Sequence, residues 1–137
     1  MPDGGFPRPA PTPLSQPFWA AAREGRLVLQ RCGACGAYRW TPQLLCIRCR
    51  SEDYAWTQVS GRGRIYSATV VQRAPTPAFQ VPYVVAVVEL VEGPLMLTRL
   101  VDCDPAQVEI GQAVEVAFTK LDEEINLYTF RLPRPAA

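Results

Sequence analysis

The chain has 137 residues, with 14 basic side chains against 13 acidic ones and no histidine. This near-neutral balance argues against a polyanion binder, which needs a cationic surplus. The longest apolar run, Tyr83 to Val88, is far too short to cross a bilayer, and a hydrophobic content of 48% suits one ordinary globular domain or two small modules sharing an interface.

Residues 1–14 form a Pro-rich arm without periodicity, expected to be extended and loose unless a partner orders it. Residues 15–25 then read as a short helix, with Ser15 as N-cap, Pro17 in the first turn and Gly25 just past the end. Phe18 and Ala22 share one face of it, Trp19 and Arg23 another. A helix this short is marginal alone, so its aromatic residues must pack on the chain's own core or on a partner.

Residues 26–59 alternate strands with cysteine pairs. Arg26–Arg31 and Tyr38–Thr41 are short strands, the second stopped by Pro42, and Tyr54–Val59 is a third. Between them lie Cys32-Gly-Ala-Cys35 and, ten residues on, Cys46-Ile-Arg-Cys49. Each C-x2-C pair aims two thiolates the same way from one tight turn, and two facing turns make a tetrahedral sulfur cage of the size Zn²⁺ prefers. Gly33 and Gly36 frame the first turn, where positive φ is expected. Such a site is closed and structural; a catalytic zinc keeps a position open and commonly uses histidine. The N-terminus has neither the basic nor the apolar segment of an export signal, so the pairs are expected to bind metal in a reducing cytoplasm and not to form disulfides. A rubredoxin-type iron centre uses the same donors, although the ten-residue gap is closer to a zinc ribbon. Four thiolates with Zn²⁺ would shift the formal charge of +1 to about −1.

Ser60-Gly-Arg-Gly63 marks a boundary, and residues 60–137 are strand-rich. Strands are predicted at Arg64–Val71, Tyr83–Val91, Leu95–Val101, Ala113–Phe118 and Leu127–Leu132, separated by Pro- and Gly-bearing turns. Five strands of this spacing fit a small closed barrel of the OB type, with an SH3-like barrel as the alternative. The fold class is therefore mostly β: a short N-terminal helix, a four-cysteine ribbon and a five-stranded barrel. Cys103, between Asp102 and Asp104, reads as a small half-buried residue. It has no histidine to serve as base, and neighbouring carboxylates raise a thiol pKa.

The order of these pieces resembles one family, the zinc-ribbon plus OB-fold proteins catalogued as domain of unknown function thirty-five. The resemblance runs over residues 17–132. It is carried by Phe18-Trp19, Gly25-Arg-Leu-Val-Leu-Gln-Arg-Cys32, the two cysteine pairs, Val59-Ser-Gly-Arg-Gly63, Tyr66-Ser-Ala-Thr-Val70, Pro82-Tyr-Val-Val85, Leu100-Val-Asp102 and Ile110-Gly111. The resemblance implies zinc on Cys32, Cys35, Cys46 and Cys49. It also implies an accessory role beside a thiolase-superfamily enzyme (a thiolase, a lipid-transfer-type thiolase or aldolase, or an acyltransferase), supporting its assembly and helping to receive acyl-CoA. The chemistry would stay on the partner; no nucleophile–base set is evident here. The expected partner surface is Phe18 and Trp19 on the helix with Tyr38 and Trp40 on the ribbon, extended by Arg39 and the arm. The competing reading is a single-stranded nucleic-acid module, with Arg62, Arg64, Arg73 and Tyr66 forming a basic, aromatic groove. Against it stand the charge balance and the acidic residues Asp102, Asp104, Glu123 and Glu124.

Overall fold

The computed structural model describes residues 6–133; the first five residues of the arm and the last four of the barrel segment lie outside it. One helix, α1 (Gln16–Arg23), precedes eight strands: β1 (Val28–Cys32), β2 (Tyr38–Arg39), β3 (Tyr54–Gln58), β4 (Arg62–Val71), β5 (Tyr83–Leu90), β6 (Leu95–Leu100), β7 (Ala113–Lys120) and β8 (Asn126–Arg131). The first three strands make an antiparallel sheet in the order β2-β1-β3, and the last five close into a barrel in the order β4-β5-β6-β8-β7. That order is the OB arrangement predicted from the strand spacing. Closure leaves no free sheet edge. It is completed by β7 pairing with β4 and by the Val101 amide donating to Phe130 O at 2.8 Å.

The barrel core follows from alternation along the strands. Val84, Ala86, Val88 and Leu90 of β5 point inward, as do Met96 and Leu100 of β6, and Ile65, Val114 and Phe130 complete the core. A bulge between Ile65 and Ser67 of β4 shifts the register and leaves Tyr66 on the outside.

The helix ties ribbon to barrel. Phe18, 1% exposed, packs against Trp40 of the ribbon and Tyr128 of β8, with ring centroids at 4.6 and 5.5 Å. The side-chain amide of Asn126 donates to the carbonyls of Ala22 and Arg23 at 3.0 and 3.3 Å, satisfying acceptors that the helix end leaves open. Ser15 occupies the N-cap position, yet its side chain makes no capping bond. The hydroxyl instead accepts from the Thr12 amide at 2.9 Å.

The arm differs from the loose terminus expected. From Phe6 onward it lies across the barrel. The rings of Phe6 and Phe79 pack tilted at 40° with centroids 4.4 Å apart, Arg99 sits over the Phe6 ring, and Arg8 pairs with Asp122 at 2.8 Å and Glu124 at 3.4 Å. Its prolines hold it extended at little further entropic cost. Beneath it runs an apolar groove of about 450 Å³ among Trp19, Tyr83, Val85, Leu97 and Tyr128.

Candidate metal centre

The two cysteine pairs sit on turns with one hydrogen-bond plan. In the first, the Cys32 amide donates to Ala37 O at 2.9 Å and the Gly36 amide to Cys32 O at 3.0 Å. In the second, the Cys46 amide donates to Ser51 O at 3.0 Å and the Arg50 amide to Cys46 O at 2.8 Å. The residue after each pair takes the left-handed conformation, Gly36 at φ 78° and Arg50 at φ 66°. Gly33, expected to share that conformation, does not have it. A Cβ there would sit 2.3 Å from the carboxylate of Asp53, an exposed side chain that would have to turn aside.

The turns bring the four sulfurs within 4.8 Å of one another, with Cys32 and Cys49 at 3.5 Å and Cys35 and Cys46 at 3.6 Å. That spacing and donor set fit a tetrahedral metal ion bound by thiolates. Cys32 and Cys46 are buried, Cys35 and Cys49 exposed. The electrostatics favour thiolate on the buried pair. The amides of Cys49 and Arg48 pull the Cys46 thiol down to about 6. The Cys35 and Ala34 amides lower that of Cys32. Cys49 accepts from the Ser51 amide, yet the sulfur of Cys32, burial, and the sulfurs of Cys35 and Cys46 push it up to about 12. Four sulfurs this close cannot all carry charge without a cation among them.

Below the cluster the ribbon has a polar interior. Gln30 is fully buried. Its Oε1 accepts from Arg39 Nε at 3.0 Å and from the Gln43 amide at 2.8 Å, and its Nε2 donates to Gln43 O at 3.0 Å. Arg39 is also buried, its guanidinium 4.8 Å from the centre of the Tyr54 ring.

The other expected site residues fall in different surroundings. Phe18 is core, so it has no face to offer a partner. Trp19 and Trp40 are half-buried in an aromatic cluster with Phe18 and Tyr128. Tyr38 is half-buried on β2 under the guanidinium of Arg31, 5.1 Å away. Cys103 is partly buried, and burial, then Asp102 and Asp104, raise its thiol pKa, as expected of a non-nucleophile. Arg62, Arg64 and Tyr66 are exposed on β4 and do not line the groove under the arm. No helix among the described residues is long and apolar enough to cross a membrane. Sequence reasoning passed over Gln30 and the apolar residues around the second cysteine pair. A run of Leu-Leu-Cys-Ile in a predicted loop is the signal that could have found the latter.

Residues 19–55 match the ChsH2 rubredoxin-like zinc ribbon domain and residues 56–119 the ChsH2 C-terminal OB-fold domain. A DUF35 domain-containing scaffold protein of Methanothermobacter thermautotrophicus is 41% identical over 97 residues, spanning 69% of this chain and 72% of the relative. The chain belongs to the DUF35 family. A probable enoyl-CoA hydratase alpha subunit of Thermomonospora curvata is 42% identical over 91% of this chain. The chain spans 39% of that relative's length. The solved structure of an Ltp2-ChsH2(DUF35) aldolase contains a chain that superposes with a TM-score of 0.84 at 41% identity, covering 91% of this chain and 98% of that one. The ribbon and barrel of this chain are therefore DUF35 elements in both sequence and fold.

Proposed function

We propose that this protein is a non-catalytic, zinc-binding accessory subunit of an acyl-CoA enzyme of the thiolase superfamily, supporting its assembly and helping to receive substrate. The observation that carries the reading is the closed metal centre. Four thiolates fill a tetrahedral zinc shell, so no position is left for water or substrate, and the metal's role is to hold the ribbon. Relatives named as scaffold protein and as hydratase alpha subunit, and a structural neighbour solved within an aldolase, support a subunit role. Five free cysteines, four of them gathered at the metal centre, suit a reducing, cytoplasmic setting. The exposed parts of Trp19, Tyr38 and Trp40 are proposed contacts to the enzyme.

The test is to purify the tagged chain from its native host, identify what accompanies it, and assay chain, partner and complex separately with acyl-CoA substrates. The expected result is a thiolase-superfamily partner, with turnover by the complex and none by the chain alone. Turnover by the pure chain, abolished by Cys103→Ala, would overturn the proposal.

A further inference from the structure

The second cysteine turn carries side chains that neither the metal nor the core uses. Leu44, Leu45 and Ile47 are 69%, 46% and 77% exposed, three large apolar residues within four positions. Single exposed apolar residues are ordinary, but a contiguous patch marks an interaction site. With Gln43 and Arg50 they border a shallow recess of about 610 Å³.

This segment is clamped at both ends. Gln43 is held through its amide and its carbonyl by the buried side chain of Gln30, and Cys46 is fixed by its sulfur position and its amide bond to Ser51 O. Between these anchors the backbone is fixed, and it presents both leucines to solvent. Pre-ordered apolar side chains lose little entropy on docking. Arg48 and Arg50 flank the patch, both exposed, and neither forms an ion pair among the described residues.

We infer that residues 43–50 are a protein-docking knuckle whose occupant is the enzyme partner, presenting an apolar hollow rimmed by carboxylates. The inference rests on the accessory-subunit reading above. The charge pattern argues for a carboxylate rim: two unpaired guanidinium groups border an apolar centre, an arrangement that steers association and fixes register. Glu52 and Asp53, exposed just beyond the turn, oppose a flat anionic lipid surface but can be accommodated in a shaped protein interface.

The experiment titrates the purified partner, obtained with wild-type chain from the native host and identified as an acyl-CoA enzyme by mass spectrometry, against variants. Ile47→Glu and Leu44→Glu should each weaken association at least tenfold, with zinc content and melting temperature unchanged. Arg48→Glu combined with Arg50→Glu should weaken it less and flatten its dependence on salt. Should Ile47→Glu lose zinc, Leu44→Glu, which lies outside the Cys46–Cys49 pair, carries the test. Wild-type affinity in both apolar variants overturns the knuckle and leaves the accessory reading standing. Failure to find any acyl-CoA enzyme with the wild-type chain overturns both. Binding to phosphatidylserine vesicles that is lost in Ile47→Glu, with unchanged enzyme affinity, overturns the protein occupant in favour of lipid.

Discussion

The two cysteine turns share one backbone and differ in dress. Both donate from the first cysteine amide to a carbonyl five residues on, and both place the residue after the pair at positive φ. The first is clothed in Gly33, Ala34 and Gly36, small residues that project no large side chain from the turn. The second carries Leu44, Leu45, Ile47 and Arg48, and puts Arg50 where the first puts glycine. Metal binding explains everything about the first turn and only the backbone of the second. Exposed apolar side chains and a non-glycine residue at positive φ, neither of which the metal centre needs, point to a second task.

The largest effect should be blind to that difference. Cys32→Ser and Cys46→Ser should each abolish metal binding and melt the ribbon, because the binding free energy of a small structural zinc site, on the order of 10 kcal/mol, is also its folding free energy. Metal analysis with circular dichroism checks it; a folded, metal-loaded serine variant of either turn would break the equivalence. Acid should act on the same centre. Cys46, held down to about 6, favours the folded form above the ordinary thiol value and loses that contribution as pH falls through about 6. Cys49, pushed up to about 12 by the neighbouring sulfurs when no cation is among them, would favour the metal-free folded form at lower pH and lose that contribution as pH rises toward 12. Bound metal holds its thiolates deprotonated further down the pH scale than the metal-free thiol, so acid should expel it only as pH falls below about 6, which a chromophoric chelator across a pH series would record.

The next effect separates core from surface. Phe18→Ala should cost about 3–5 kcal/mol in denaturant unfolding, since it removes a ring buried between ribbon and barrel. Leu44→Ser should stay within about 0.5 kcal/mol. A large loss at Leu44 would show that the knuckle's apolar residues serve folding, and the contrast between the turns would disappear.

The smallest effect exchanges the left-handed positions. Gly36→Ala should destabilise by about 1 kcal/mol, because a Cβ is disfavoured at that φ. Arg50→Gly should stabilise by up to about 1 kcal/mol while weakening association with the enzyme. Urea titration and binding measurements on the same two variants decide it. Stability lost at Arg50→Gly would assign the arginine a role within the fold.

Much of this architecture was legible because it rests on local signals. Paired cysteines, the Val-rich run of Tyr83–Leu90, and Gly-rich boundaries each carry their meaning within a few residues. What stayed hidden depends on contacts distant in sequence. Gln30 reads as an ordinary strand residue until Gln43 and Arg39 close over it. Phe18 and Trp19 look alike in the helix, and only the position of Tyr128 decides that one is core and the other half-exposed. The arm looked loose because its anchors, Phe79, Asp122 and Glu124, lie far along the chain.

That last placement has a bearing on biosynthesis. Arg8 meets Asp122 across 114 residues, and the helix is held by Asn126 across 104 residues from Ala22. A ribosome adding roughly 5–20 residues per second delivers those acceptors several seconds after the N-terminus emerges. During that interval Phe6, Phe18 and Trp19 have no barrel to cover them. A ribbon that forms in that interval does so with its aromatic wedge exposed, so the chain is most vulnerable to mis-association just before β8 leaves the tunnel.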